Sequence, residues 1–519
     1  MKNKEEYTFE DLYNATIRSH GDESALVYFN PERKVLTFRE YGEMIDAYAA
    51  YFEKVLQDVD KGSWLGMKLP NSHFWFAVMF ALQKIGFNLI FIDDSTSDKL
   101  LLHFVEQVNM AAIITASETH IDRVTVVNIS NIKEIAKETP NNICWSNKMA
   151  FCTSGTIGTA KVYVFNAYSV IFSCNNIMKY YFGESGVALR ENDDPEKNNL
   201  ILALPFRHIS GFLIVVALWN MGRCLVLPKD KGIFKLIETI KEENIWLLFC
   251  VPAMWKAVVR IMNAKYKTCD EKVFKAMLGD NLKIGLSAAA KLDDEMIKVL
   301  SESGLHVLNC WGMTETGVCS IGQLSDNKES GYVGSAMNGH TIKVINDDGS
   351  VSDNGTGELM LEGDTLFDAI MIDGVEKKRT EPFRTGDVFK YENDRLWFLG
   401  RSKSVIVGES GENVYPEEID DYFGFIADKV ISYCTVGYND EPVMFINPFS
   451  IDDFEKSELF EEIVSANKKL PIIKQLTKLF IVKKKLPFTA KGEPARMKLN
   501  SEFVKTAGVE TILIKGRKV

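Results

Sequence analysis

The sequence predicts an α/β protein in which parallel or mixed sheets are covered by helices. Through roughly the first two thirds of the chain, apolar runs of strand length alternate with helical stretches, which is the pattern of β-α-β units. From about residue 334 short strands are joined by Asp/Gly turns, and after residue 401 the mixed pattern returns. With 519 residues, the chain has room for roughly two to four folding units.

The first predicted elements are a short strand at 36–38 and a helix at 39–56. Apolar side chains recur in the helix at spacings of three and four, so one face of it is buried. These apolar residues are Tyr41, Met44, Ile45, Tyr48, Ala49, Tyr51 and Phe52.

A strand at 64–69, a helix at 74–85 and a strand at 88–92 form the clearest β-α-β unit. The apolar run at 74–82 is interrupted by Gln83 and Lys84, well short of the ~20 residues that a membrane span needs, so we expect a buried helix. Further strand-like runs lie at 111–115, 124–127, 149–152, 200–204, 224–227, 247–250 and 307–308.

The change of pattern near residue 334 predicts a small β subdomain at about 334–400. Strands at 343–345 and 358–362 and the turn at 347–349 are its clearest features. The boundary at 401–404 then separates an N-terminal domain, 1–401, from a small α+β C-terminal domain, 402–519.

Composition argues against several classes of protein. A net charge of -11 disfavours a broad nucleic-acid-binding surface. Nine cysteines, odd in number and without a CxxC pair, indicate free thiols in a reducing compartment and argue against structural zinc. The polar N-terminus lacks the apolar segment of a signal peptide, so we expect a cytoplasmic protein without a membrane span.

One glycine-rich segment, Phe151-Cys152-Thr153-Ser154-Gly155-Thr156-Ile157-Gly158-Thr159-Ala160-Lys161-Val162, indicates a phosphate-binding loop. The glycines allow backbone N–H groups to face an anion, and the hydroxyls and Lys161 add donors and charge. It is not a Walker A loop, because no lysine stands directly between a glycine and a Ser or Thr. An ordinary surface turn is the alternative for this segment taken alone.

Five further segments follow in order along the chain. They are Leu204-Pro205-Phe206-Arg207-His208, Ser287-Ala288-Ala289-Ala290-Lys291-Leu292, Trp311-Gly312-Met313-Thr314-Glu315, Arg384-Thr385-Gly386-Asp387, and Gly400-Arg401-Ser402-Lys403 together with residues 411–419. With the glycine-rich loop, they resemble the motifs of the adenylate-forming (AMP-binding) superfamily, of the acyl-CoA and aryl-CoA synthetase type. The resemblance covers nearly the whole chain.

The resemblance implies a two-step reaction that uses ATP, Mg²⁺ and coenzyme A. A carboxylate attacks the α-phosphate of ATP and releases pyrophosphate, and a thiol then displaces AMP. Glu315 would hold Mg²⁺ through hard oxygen ligands, and Thr314 would hydrogen-bond the α-phosphate. The residues that would hold the leaving phosphates are Thr153, Ser154, Gly155, Thr156, Gly158 and Lys161.

The same resemblance places the remaining nucleotide contacts. Trp311 would stack on adenine in place of the usual tyrosine, and Ala289 belongs to the same nucleotide site. Asp387 would accept the two ribose hydroxyls, and Arg401 would contact ribose and phosphate. His208 would line the acyl pocket near the substrate carboxylate.

The resemblance also implies that the C-terminal domain moves. Lys403 falls at the hinge position, about which this domain would rotate between the two half-reactions. The glycine-containing segment at 407–411 would then enter the site for thioester formation. An ordinary surface lysine and a tight turn are the alternatives.

The final family motif departs from its pattern in Pro487-Phe488-Thr489-Ala490-Lys491-Gly492-Glu493-Pro494-Ala495-Arg496. Glu493 stands where the family carries its catalytic lysine. A carboxylate at this position replaces attraction to the reacting anions by repulsion, on the order of 4 kcal/mol at ~4 Å. Lys491 lies two residues earlier, on the same face of an extended segment, so a shift of register would bring it to the site. Impaired adenylation is the alternative.

Three functions stay open at this point. The first is a ligase that activates a small-molecule carboxylic acid and passes it to coenzyme A. The second is an adenylating enzyme that loads the phosphopantetheine of a carrier protein. The third is a degenerate nucleotide-binding protein with little turnover. Neither the acid nor the oligomeric state follows from the sequence.

Overall fold

The computed structural model describes most of the chain, and every structural statement below concerns its described residues. These are residues 2–130, 132, 135–153, 160–182, 199–230, 232–288, 292, 294–322, 331–402, 404–407, 413–439, 441–450, 454–489 and 494–514. Within them, no helix is both long and apolar enough to cross a membrane.

Thirteen α-helices are present in the described residues. They are α1 Phe9–Tyr13, α2 Phe38–Val55, α3 Trp75–Lys84, α4 Asp98–Val108, α5 Ala167–Phe182, α6 Ile209–Trp219, α7 Ile233–Glu242, α8 Pro252–Tyr266, α9 Glu271–Leu278, α10 Asp294–Glu302, α11 Pro416–Tyr422, α12 Glu458–Lys469 and α13 Ser501–Thr506.

The strands are numbered in chain order across all sheets. The first sheet contains β1 Ser24–Phe29, β2 Arg33–Thr37, β9 Asn199–Leu202, β10 Leu225–Val226, β11 Ile245–Cys250, β12 Ile284–Ser287, β13 His306–Met313, β14 Gly317–Ile321, β15 Tyr332–Ala336, β16 His340–Ile345, β17 Val351–Ser352, β18 Gly355–Gly363, β21 Phe383–Glu392 and β22 Arg395–Arg401. Its order is β17-β16-β18-β21-β22-β15-β14-β13-β12-β11-β9-β10-β1-β2. Pairing is parallel from β13 to β1 and antiparallel elsewhere.

The second sheet contains β3 Trp64–Lys68, β4 Asn88–Ile92, β5 Ala112–Thr115, β6 Thr125–Asn128, β7 Lys148–Cys152, β8 Val162–Asn166, β19 Ala369–Ile372 and β20 Val375–Lys378. Its order is β20-β19-β8-β7-β4-β3-β5-β6. Strands β7 and β8 are antiparallel, so the glycine-rich segment connects two paired strands. A P-loop, in contrast, connects a strand to a helix.

Two smaller sheets lie after residue 401. Strands β23 Ile406–Val407 and β24 Asn413–Val414 form a pair. Strands β25 Val430–Tyr438, β26 Glu441–Pro448, β27 Lys478–Ile481 and β28 Glu510–Leu513 form a four-stranded sheet that shares no strand with the first two. This separation supports the predicted C-terminal domain, whose boundaries stay a prediction.

The main apolar core joins the two large sheets through helices α3 and α6. Every residue of α3 is buried, and α6 is buried from Gly211 to Trp219, as expected for helices that are apolar on all sides. Their side chains belong to one cluster with residues of both sheets, including Leu89 and Phe249. This cluster fixes the two sheets relative to each other.

The predicted fold class is confirmed, and its elements are matched closely. The helix predicted at 39–56 is α2, whose N-terminus is fixed by a capping box between Thr37 and Glu40. The β-α-β unit predicted at 64–92 is β3, α3 and β4. The strands predicted at 343–345 and 358–362 lie in β16 and β18 of the first sheet, whereas β19 and β20, from the same region of the chain, extend the second sheet. Helix α6 was missed, because a uniformly apolar segment has no helical periodicity.

Candidate active site

The base of the glycine-rich loop is closed by Thr153 and Lys161. The Thr153 N–H donates to the Lys161 carbonyl at 3.0 Å, and the Lys161 N–H donates to the Thr153 hydroxyl at 3.0 Å. These bonds continue the pairing of β7 and β8, so the two ends of the loop are fixed. The other predicted phosphate ligands, Ser154, Gly155, Thr156 and Gly158, lie outside the described residues.

Glu315 lies in the turn between β13 and β14, directly after Thr314. The carbonyl of Glu315 accepts the Phe367 N–H at 2.9 Å, and its carboxylate lies near the Tyr163 phenol. Burial and the neighbouring Glu315 carboxylate both raise the pKa of the Tyr163 phenol, so Tyr163 remains neutral. Glu315 is thereby anchored at its backbone, and a neutral phenol lies near its carboxylate.

The glycine of the Trp-Gly-Met-Thr-Glu segment has a steric cause. A Cβ at Gly312 would lie 2.0 Å from the Gly317 carbonyl oxygen across the β13–β14 pair. The register of this pair shifts between Trp311 and Gly312, which marks a bulge. Only glycine therefore allows the tight turn that holds Thr314 and Glu315.

Asp387 is a buried carboxylate with two positively polarised partners. It is 1 % exposed and lies opposite Arg401 in the β21–β22 pair. Arg401 Nη1 is 2.7 Å from Asp387 Oδ1, and Trp311 Nε1 donates to Oδ2 at 2.9 Å. Gly386, immediately before it, has φ of +70°, a conformation that favours glycine. The two side-chain contacts fix where the carboxylate points.

His208 is the residue before α6, and Arg207 contacts it. Arg207 Nη1 lies 2.9 Å from His208 Nε2, and the other guanidinium nitrogen forms an ion pair with Asp93. Asp93 follows β4, and its carboxylate also accepts from Ser95. The pKa of Asp93 is lowered by the Ser95 hydrogen bonds and by Arg207 and His208, against the opposing effect of burial. Arg207 thus links the predicted acyl-pocket histidine to the second sheet.

A cleft of about 1080 Å³ lies between the N-terminal region and the segment after residue 401. Lys161, Tyr163 and Glu315 line it together with Arg401. Residues from the C-terminal region line it as well; they include Asp420, Thr489, Pro494, Ala495, Arg496 and Lys498. The cleft therefore brings together predicted site residues that are distant in sequence.

The C-terminal wall of the cleft carries a compact charge cluster. Arg496 forms an ion pair with Asp420 and lies 3.6 Å from Glu417. Asp420 Oδ1 also accepts the Thr435 N–H at 2.6 Å. Burial raises the pKa of Asp420 to about 6, Arg496 and Thr435 oppose this effect, and Glu417 adds to it.

Several predicted residues are left without structural description. Lys491, Glu493, Ala289 and the hinge residue Lys403 lie outside the described residues. The ends of the segment that contains Lys491 are fixed: Phe488 and Pro494 form an isolated bridge, and the Ala495 N–H donates to the Pro487 carbonyl at 2.8 Å.

Tyr163 was missed from the sequence. Side chains two apart on a strand share a face. Lys161 immediately precedes β8, so the two-residue period of a strand predicts that Tyr163 lies on the same face as Lys161. This period was the signal that could have identified Tyr163. The Trp311–Asp387 contact was missed as well, since 76 residues separate the partners and nothing local indicates their pairing.

The residues present fit a magnesium ion held mainly by nucleotide. Among the described residues no three His, Cys, Asp or Glu side chains converge on one point. A Mg²⁺ ion prefers octahedral oxygen ligands and keeps several waters. Glu315 would supply one ligand, and phosphate oxygens and water would supply the others.

Comparisons with known proteins agree with these motifs. A family model described as AMP-binding enzyme matches residues 13–370. A 2-succinylbenzoate–CoA ligase from Listeria monocytogenes is 23% identical over 512 residues, which cover 94% of this chain and 98% of that protein. A long-chain-fatty-acid–CoA ligase from Haemophilus influenzae is 22% identical, with 79% of this chain and 80% of that protein covered.

Solved structures share the fold. The o-succinylbenzoate CoA synthetase (MenE) from Bacillus subtilis in complex with the acyl-adenylate intermediate OSB-AMP has a TM-score of 0.76 at 19% identity, with 94% of this chain and 97% of that chain covered. ATP-bound MatB from Rhodopseudomonas palustris has a TM-score of 0.76 at 16% identity, with 95% and 98% covered.

Proposed function

The chain belongs to the AMP-binding enzyme family, and we propose that it is an ATP-dependent acid-thiol ligase that forms an acyl-adenylate and transfers the acyl group to coenzyme A. The observation that carries this proposal is the shared cleft. Lys161 and Glu315 reach it from the N-terminal region, and Thr489 and Arg496 reach it from the C-terminal region.

In the first step, an oxygen of the substrate carboxylate attacks the α-phosphorus of ATP, and the bond from that phosphorus to pyrophosphate breaks. Lys161 and the loop amides neutralise the charge that develops on pyrophosphate. Thr314 orients the α-phosphate. When bound at Glu315, Mg²⁺ supplies charge neutralisation on the phosphate oxygens. The neutral Tyr163 phenol, which lies near this carboxylate, is placed to donate a hydrogen bond to it.

In the second step, the sulfur of coenzyme A attacks the acyl carbonyl, the bond from that carbonyl to AMP breaks, and the thiol proton passes to solvent or a nearby base. Asp387 and Arg401 keep the ribose in place through both steps. His208 lines the acyl pocket, where Arg207 fixes its ring. By resemblance to the family, a rotation about Lys403, which lies outside the described residues, would exchange the C-terminal segments that face the cleft.

Lys491 supplies the cation that Glu493 removes from the family position. Both residues lie between Thr489 and Pro494 in the chain, and these two flanking residues line the cleft. The lysine side chain carries a point charge on a flexible stem, which suits a displaced position. Lys491→Ala is therefore expected to abolish acid-dependent pyrophosphate exchange, and unchanged exchange would exclude this role.

Glu493 provides the complementary test. If Lys491 already supplies the cation, Glu493→Ala should leave exchange within a few-fold of wild type. If adenylation is impaired instead, Glu493→Lys should raise exchange strongly while Lys491→Ala changes little. Both variants are measured beside wild type at saturating ATP.

The experiment that tests the proposed function incubates the full chain with ATP, Mg²⁺, coenzyme A and a panel of acids. The panel contains aliphatic, aromatic and amino acids, with 2-succinylbenzoate and long-chain fatty acids included because the relatives are named for them. At least one acid should give AMP and acyl-CoA in equal amounts, measured by mass spectrometry. Formation of neither product with any acid would contradict the proposal.

The acceptor arm separates the remaining alternatives. Replacing coenzyme A by a phosphopantetheinylated carrier protein should lower the rate of acyl transfer if coenzyme A is the acceptor. Faster transfer to the carrier protein would support the second function. Binding of ATP without acid-dependent exchange would support the degenerate nucleotide-binding protein.

A further inference from the structure

The carboxylate of Asp387 has two partners of different mobility. Arg401 is 44% exposed at its side chain, whereas Trp311 is only 8% exposed. A half-exposed arginine retains much of its rotamer freedom, and solvent screens its charge. Trp311 is therefore the rigid partner, and its indole N–H determines the orientation of the carboxylate.

Packing fixes the Trp311 ring itself. The ring packs edge-on against Phe389 with centroids 4.8 Å apart, within the apolar cluster that also contains Cys319 and Leu396. Phe389 and Asp387 lie two apart on β21, so one strand carries both the packing partner and the acceptor. A displacement of the indole would therefore both break the hydrogen bond to Asp387 and disturb this apolar cluster.

The hydrogen bond requires the indole. Phenylalanine at position 311 would keep an aromatic ring but has no donor, and an indole N–H is a donor only. The bond joins a neutral donor to a buried carboxylate, which makes it stronger than a bond between two neutral groups. A stacking role alone would need the ring face and not the N–H.

We propose that Trp311 is a positioning residue for ribose recognition: its Nε1–H holds the Asp387 carboxylate in the orientation that accepts the ribose hydroxyls. This inference rests on the proposed function, because that function assigns Asp387 to the ribose. The effect of Trp311 on nucleotide affinity therefore depends on whether the nucleotide carries its 2′- and 3′-hydroxyls.

The test compares equilibrium binding of ATP and 2′,3′-dideoxyATP, both with Mg²⁺ and without acid, by competition against labelled ATP. Wild type should prefer ATP, because only ATP carries the hydroxyls that Asp387 accepts. Trp311→Phe should reduce this preference by about fivefold to tenfold. The ratio of the two affinities cancels any loss of adenine stacking, because both nucleotides carry adenine.

The matched control is Trp397→Phe, which makes the same substitution on β22. Trp397 is also buried, but it packs against Tyr332 and lies opposite Lys390, not Asp387, in the β21–β22 pair. We expect this variant to keep the wild-type preference for ATP. Equal melting temperatures in the presence of saturating ATP show that each variant is folded.

Two results would overturn the proposal. If Trp311→Phe lowers the affinity for both nucleotides by the same factor, Trp311 acts only as a stacking residue. Wild type failing to prefer ATP would remove Asp387 from ribose recognition. Failure of the proposed function is distinguishable, because it is detected as absent acid-dependent product formation and not in this binding ratio.

Discussion

Two aspartate–arginine pairs lie at the cleft: Asp387–Arg401 reaches it through its arginine, and Asp420–Arg496 through both side chains. Both are paired carboxylates, but their surroundings differ. Asp387 takes a hydrogen bond from the Trp311 side chain, and its arginine is half exposed beside the cleft. Asp420 takes a hydrogen bond from the backbone of β25, and its arginine is largely buried.

The difference shows why residue type alone does not define a site. Arg496 also donates to the Thr435 carbonyl at 3.2 Å and lies near Glu417, so it connects α11 to β25 within the C-terminal region. The Asp420 pair lines the cleft, but both of its charged groups are engaged by α11 and β25, so the pair connects local structure. Arg401 of the Asp387 pair lines the cleft next to Thr385 and Gly386, and its side chain is half exposed, so a ligand can contact it.

The largest expected effect separates the two aspartates directly. Asp387→Asn removes the negative charge that accepts the ribose hydroxyls and should lower kcat/KM for ATP by about 100-fold, which corresponds to two charge-assisted hydrogen bonds. Asp420→Asn is the matched substitution and should change kcat/KM for ATP by less than about threefold. Pyrophosphate exchange at varied ATP measures both, and equal losses would contradict the distinction.

The next effect concerns Lys161. Lys161→Ala should lower the exchange rate by about 10- to 100-fold, because its charge would no longer stabilise the leaving pyrophosphate. Lys148→Ala removes a lysine at the opposite end of the same strand pair, where Lys148 contacts Glu376 at 2.8 Å. That control should retain exchange. An unchanged rate in Lys161→Ala would remove this lysine from the site.

A smaller effect is expected from Tyr163. Tyr163→Phe removes the neutral hydroxyl near Glu315, which is placed to donate to its carboxylate, and should raise the Mg²⁺ concentration for half-maximal exchange by about threefold to tenfold. The control is Tyr391→Phe, which removes a tyrosine hydroxyl that donates to a different carboxylate, Asp394, at 2.9 Å. If both variants have the wild-type Mg²⁺ dependence, Tyr163 does not position a metal ligand.

The smallest effect is on stability and its dependence on pH. The pKa of Asp420 is about 6 in the folded chain, above its ordinary value of 3.8. A raised carboxyl pKa means that the folded state binds the proton more tightly. The contribution of Asp420 to the free energy of unfolding is thus fully present below about pH 4 and is lost as pH rises through 6.

Urea denaturation of wild type and Asp420→Asn at several pH values tests this sign. Between pH 4 and 7, the unfolding free energy of wild type should fall by about 1–2 kcal/mol relative to that of the variant. This amount is expected because Arg496 and Thr435 partly offset the effect of burial on the pKa of Asp420. A constant difference between the two proteins, or a gain by wild type, would contradict the assignment.

The fold was largely predictable because local patterns determine it. The β-α-β run from β3 to β4 is visible in sequence as two strand-length apolar runs on either side of a longer apolar segment, and the capping box at Thr37 marks the start of α2. The allocation of β19 and β20 to the second sheet was not predictable, since strand pairing between distant segments depends on tertiary packing. The domain boundary at 401–402 stays a prediction.

The candidate site was predictable where a motif has a local cause. Gly312 and Gly386 mark a close approach and a left-handed turn, respectively, and both are visible as glycines. The partners Trp311 and Asp387 could each be assigned to the nucleotide, but their hydrogen bond arises only when β13 and β21 are placed in one sheet. The roles of the site residues stay predictions that the variants above test.

The proposed ligase activity is tested most directly by acid-dependent exchange of pyrophosphate into ATP by the wild-type chain. We expect exchange with at least one carboxylic acid, and we expect it to depend on Mg²⁺ and to be abolished by Lys491→Ala. Tight ATP binding without exchange for any acid in the panel would contradict the proposed activity, because the nucleotide half of the site would then be present without the chemistry.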